Sequence, residues 1–212
     1  MPTNRIAYLI GHLAIGGAES QLVEMLRHLD RSRFEPSLIL LAPDGIERVQ
    51  GLINRSYYIK GSAKQNNLFR SIMRITKALK EIKPAILHAL LPEPCILGFA
   101  AGKLCNVPIL IGSRLSLVDC YRPNHSRSVI FADRLATRIS THMIGNSHAI
   151  ADELVTLDNA PPAKISVIYM ALIPLDSIPQ SLLCLEAHLD GIPDMSFLGA
   201  WQTSLTISAR WI

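Results

Sequence analysis

Several absences narrow what this sequence can be. No stretch of its 212 residues approaches the roughly 18–20 consecutive apolar positions that a membrane-crossing helix needs. Charged residues are sparse at 18% and aromatics at 6%, yet hydrophobic residues reach 49%, which excludes a disordered chain. The four cysteines (Cys95, Cys105, Cys120 and Cys184) have neither zinc-site nor redox spacing, which points to a reduced, cytoplasmic setting. The chain has no Walker loop and no G-x-G-x-x-G fingerprint, and no Ser/His/Asp or Cys/His set stands out. The opening stretch MPTNRIAYLIGHLAIGGAE has no basic start or cleavage-type ending, so it reads as a buried strand and not as a signal peptide. Internal repeats and low-complexity tracts are missing too.

Short apolar runs alternating with helical periodicity are what the sequence does contain. Residues 5–11 (RIAYLIG) form a compact run closed by glycine, as a central parallel strand would. Further strands are expected at 35–41, 57–59, 85–90, 108–113, 142–146 and 164–169. Helices are expected at 18–29, 67–82, around GFAAGKLC, at 125–140 and at 148–154. In the second of these, Leu68, Ile72, Ile75, Leu79 and Ile82 step by four and three, and Pro84 ends it. Such alternation predicts an α/β fold with a doubly wound, Rossmann-like parallel sheet, whose ligand crevice lies beyond the carboxyl ends of the strands. The residues brought there would be 11–19, His88, Ser113 with Arg114, and Asn146 with Ser147.

Gly16-Gly17-Ala18-Glu19 is the sharpest chemical element, because it sits between a strand and a helix. Glycines let a ligand approach the backbone, and the free N–H groups of the following helix favour a phosphate. Taken alone, a Gly-Gly pair is usually just a tight turn, and Glu19 would serve the helix dipole. His88 alone would be a core histidine. Arg114 would pair with phosphate, acceptor oxygens or a surface carboxylate. Ser147 suits a helix cap, and with Asn146 it is equally placed for a site role. Asp133, Arg134 and Arg138 read as a solvated helix face.

Three blocks taken together are more specific than any of these residues alone. GHLAIGGAESQLVEMLRHLDRSRFEPSLILL, ILHALLPEPCILGFAAGKLCNVPILIGSRLSL, and IGNSHAIADEL followed by KISVIY resemble, in order and spacing, the N-terminal half of family-4 retaining glycosyltransferases of the GT-B fold. The resemblance covers about residues 5–169. It implies an acceptor-side domain facing a donor-binding domain across a cleft. Gly16, Gly17 and the Ala18 amide would meet the donor diphosphate, and His88 would lie near the transferring sugar. The family's second histidine, two positions later, is Leu90 here. The resemblance implies transfer of a sugar from a nucleotide sugar to a saccharide or lipid-linked acceptor in surface glycan assembly. The nucleotide sugar is a co-substrate; no other cofactor and no metal is expected, and nucleic acid is not an expected partner. The alternative is a non-catalytic module that pairs with a separate donor-domain chain.

Charge and composition divide the chain near Tyr169. Residues 1–169 carry a net charge of +7, compatible with anionic partners and with peripheral contact at the inner face of a membrane. In residues 170–212 lysine disappears, only five positions are charged, and no period is visible. Family members continue from KISVIY with Asn-Gly-Ile-Asp and, a residue or two later, Arg-Phe. Restoring one A before the Met170 codon lets that motif be read in the shifted frame. About 30 residues on, the same frame can supply a Val-Ala-Asn like the family's next strand. These readings predict a family-4-like domain over 1–169 and an out-of-frame, poorly ordered tail over 170–212, with the donor-binding domain absent and the chain alone inactive.

Overall fold

The computed structural model describes residues 4–59, 68–117 and 125–169. The tail expected over 170–212 lies outside the described residues. Seven parallel strands form one sheet: β1 (Asn4–Ile10), β2 (Phe34–Leu40), β3 (Arg55–Tyr58), β4 (Ile86–Leu90), β5 (Ile109–Arg114), β6 (His142–Gly145) and β7 (Ile165–Val167). Among the described residues, five α-helices accompany them: α1 (Gly17–Arg27), α2 (Leu68–Ile82), α3 (Pro92–Leu104), α4 (Arg127–Ile139) and α5 (His148–Thr156). Every expected strand and helix is present. The α/β, Rossmann-like class is therefore as the sequence indicates.

The strand order is β3-β2-β1-β4-β5-β6-β7, so the chain builds leftward from β1 and then restarts at β4 to build rightward. Right-handed crossovers in opposite directions place α1 on one face and the later helices on the other. The gap between the ends of β1 and β4 is the topological switch point, where ligands bind in sheets of this kind.

Burial explains the continuous apolar strands. From Ile6 to Ile10, β1 is buried at every position, because both of its faces are covered. Helix α1 buries Leu22, Val23 and Leu26 at helical spacing. Helix α3, lying between α2 and α4, is apolar on nearly all sides because it is packed on nearly all sides. Its small residues let it sit close to the sheet. A Cβ at Gly98 would come 2.5 Å from Leu9 Cδ2, and one at Gly102 would come 2.7 Å from Leu110 Cδ2. Helix α3 begins at Pro92, which pre-sets the first-turn geometry, and so starts well before the GFAAGKLC segment that announces it. Lys83, at φ 50° beyond the end of α2, donates its N–H to Leu79 O at 2.7 Å and closes that helix.

Candidate functional site

The switch point is lined first by the loop after β1. Gly16 is the N-cap of α1, with φ −172° and ψ 167°, extended backbone that any residue can adopt. A Cβ there would lie 2.2 Å from Glu19 Oε2, the movable end of a side chain. The Glu19 side chain therefore folds back against Gly16 in the first turn, where a carboxylate suits the positive end of the helix. Ring atom Nδ1 of His12 lies 3.3 Å from Ala14 N and 3.6 Å from Glu19 Oε1, so the ring sits between the loop backbone and the first turn of the helix.

Beneath the switch point, β4 and β5 bring His88 and Ser113 together. Their side chains are diagonal neighbours on one face of the sheet, with His88 Nε2 and Ser113 Oγ 2.8 Å apart and both residues buried. Tyr8, in register with His88 on β1, lays its ring 5.5 Å away. Burial lowers the His88 pKa to about 4, so its imidazole is neutral at ordinary pH, and the same desolvation raises the Tyr8 phenol. A neutral imidazole can orient a hydroxyl by donating or accepting a hydrogen bond. It cannot serve as a resident cation. His142 and Ser166 repeat the diagonal His–Ser pairing between β6 and β7, at 2.9 Å.

Arg114 is held elsewhere. Strand alternation sends it to the opposite face from Ser113. There its guanidinium forms a two-pronged pair with Asp133 of α4, at 3.0 and 2.9 Å, with Asp158 at 3.6 Å. Arg114, Asp133 and Asp158 are all at most 2% exposed. This corrects the solvated-face reading of Asp133, whose carboxylate serves a buried cation. Arg134 remains half-exposed, 3.9 Å from Asp158. The structure thus brings His88 and Ser113 together and sends Arg114 away from them.

Asn146 and Ser147 do local work at the end of β6. Asn146 Nδ2 donates to Leu115 O at 3.2 Å, tying that strand end to the chain leaving β5. Ser147 Oγ accepts the Ile150 N–H at 3.3 Å and so caps α5.

Two features of the crevice went unread in the sequence. Leu91 follows β4 with φ 77° and ψ 160°, a region that side chains avoid, and its N–H donates to Ser113 O at 3.0 Å. Arg48, 34–35 residues away in sequence, donates to the carbonyls of Leu13 and Ala14 in the glycine loop. The adjoining Pro43-Asp44-Gly45 run is a recognisable turn signal, but nothing in the sequence says which loop it touches.

The model for Glycosyltransferase Family 4 matches residues 15–172, more than half of the chain. The chain belongs to glycosyltransferase family 4. Solved structures similar to this family-4 chain include HepE from Anabaena, with TM-score 0.65, 15% identity, and 87% of this chain and 50% of that one covered. The lipopolysaccharide outer core galactosyltransferase WaaB is similar at TM-score 0.62 and 14% identity, over 82% of this chain and 47% of that one. A UDP-N-acetylglucosamine 2-epimerase from Rickettsia bellii is similar at TM-score 0.62 and 12% identity, over 93% and 52%. At such identities the likeness is one of fold. The family-4 chain spans about half the length of these structures. No curated protein matches it in sequence. Among the described residues, no helix is long and apolar enough to cross a membrane.

Proposed function

We propose that this family-4 chain supplies the acceptor-side half of a glycosyltransferase that moves a sugar from a nucleotide-sugar donor to a saccharide or lipid-linked acceptor in surface glycan assembly. The observation that carries the reading is the Gly16-Gly17 loop at the switch point of a family-4 sheet, opening directly into α1. The α1 amides would face the donor diphosphate and stabilise the leaving phosphate as its charge develops. The buried His88–Ser113 pair would form the floor of the acceptor side, with a neutral imidazole orienting a sugar hydroxyl. A second, donor-binding domain would close the cleft. The HepE structures hold UDP and UDP-glucose, which favours a uridine nucleotide as the first donor to try. The net charge of +7 over residues 1–169 supports a place at the inner face of an anionic membrane, where a lipid-linked acceptor would be found.

Thermal-shift measurements across a panel of nucleotides test this, because a ligand bound only by the folded state raises Tm by mass action. UDP, GDP and their sugar conjugates are expected to stabilise the chain. Stabilisation by NAD or ATP, without any response to nucleotide sugars, would show it to be a different kind of nucleotide-binding protein.

A further inference from the structure

We propose that Arg48 is a positioning residue for the glycine loop, mounting the Gly16, Gly17 and Ala18 amides for an anionic ligand; the ligand part of this rests on the function proposed above. A loop that presents backbone N–H groups must hold its own polar backbone in place by other means. Ile15, at the tip of this loop, is 97% exposed and supplies no packing anchor. The anchor comes from the turn after β2. Arg48 Nη1 donates to Leu13 O at 3.0 Å and to Ala14 O at 2.9 Å, while Nη2 donates to Ser20 Oγ at 3.0 Å. One rigid guanidinium therefore grips the chain just before Ile15 and again in the first turn of α1, fixing the span between. Lysine, with a compact ammonium, could not hold three acceptors so spread.

The turn itself is shaped for this contact. Leu13 N–H donates to Asp44 O at 2.7 Å. Gly45 sits at φ 79°, and a Cβ on it would fall 2.0 Å from Leu13 O. Only glycine gives both the backbone conformation and the closeness that bring Arg48 onto the loop. Arg48 acts entirely through that loop, so its loss should disturb ligand affinity and local order more than the rest of the fold.

The test compares wild type, Arg48→Ala, Arg48→Lys and, as a control at an exposed arginine of β3, Arg55→Ala, each as the full chain. Amide hydrogen exchange without ligand is read at Leu13 and Ser20, the loop amides that donate to Asp44 O and Gly16 O, and UDP is then titrated by NMR. Arg48→Ala should speed exchange at those amides at least about tenfold while the amides of β1 and α3 stay protected. If about one molecule in ten keeps the binding arrangement, apparent UDP affinity falls about tenfold. Arg48→Lys keeps the charge and should recover only part of both effects, while Arg55→Ala should match wild type. Unchanged loop exchange in Arg48→Ala overturns the proposal. So does a uniform rise in exchange across the sheet with UDP affinity intact, or full recovery by lysine, which would make charge alone the cause. If Arg48→Ala does not fold, Arg48→Lys carries the same comparison. A wild type that binds no UDP refutes the loop as a phosphate-binding element of its own, while the exchange measurement still decides whether Arg48 mounts the loop.

Discussion

Ser113 and Arg114 are consecutive in β5 yet serve opposite faces of the sheet. Ser113 meets His88 at 2.8 Å beneath the switch point, while Arg114 meets Asp133 at 2.9 Å within the helical layer. The one-residue step divides a polar strand end into a crevice part and a structural part. Each part makes its own prediction.

Replacing Arg114 with leucine takes away the buried cation that Asp133 and Asp158 share. Breaking such a pair costs about 3–5 kcal/mol, far beyond a surface bridge. Urea denaturation should show that loss in Arg114→Leu. The double variant Arg114→Leu/Asp133→Leu should recover part of it, because fewer charges are then stranded. A loss under 1 kcal/mol in the single variant would mean that the pair is solvated after all.

His88 should make the fold sensitive to acid. Its folded pKa of about 4 lies below the ordinary 6.5, so the unfolded chain takes up a proton that the folded one refuses. This contribution is fully present above pH 6.5 and is eroded as pH falls from 6.5 towards 4, by roughly 3 kcal/mol in all. The buried His142, also shifted downward by burial, acts in the same direction. In denaturation curves at pH 7 and pH 5, His88→Gln should lose less stability on acidification than wild type. Equal losses in the two proteins would show that His88 is free to protonate in the folded state.

Leu91 holds a backbone conformation that glycine adopts without penalty. At φ 77° and ψ 160°, a leucine stores on the order of 1–3 kcal/mol. Leu91 is only half-buried, so Leu91→Gly should be neutral or stabilising in denaturation, and Leu91→Val should be clearly worse. A glycine variant that lost more than about 2 kcal/mol would show that the side chain, and not the strain, dominates there.

Much of this was legible because parallel sheets buried on both faces write themselves as short apolar runs. RIAYLIG, AILHAL and PILIGS named β1, β4 and β5 almost to the residue. Ser147 was readable as a cap because cap chemistry is local. What escaped was set by contacts across the sequence. Asp133 looked like a solvated acid on a helix, since nothing near it announces a cation 19 residues away. Arg48 likewise gained its meaning only once the fold laid its turn against the glycine loop. Leu91 gave no signal because leucine is the wrong residue for its backbone conformation.

If the Gly16-Gly17 loop receives the phosphates of a nucleotide sugar, titrating UDP-glucose into the isotopically labelled chain should move specific backbone amides in NMR spectra. Saturable shifts are expected at Gly16, Gly17 and Ala18, with smaller ones near Ser113. Shifts confined to the opposite end of the sheet, around Arg31 and Leu52, or none at all at millimolar ligand, would contradict that role for the loop.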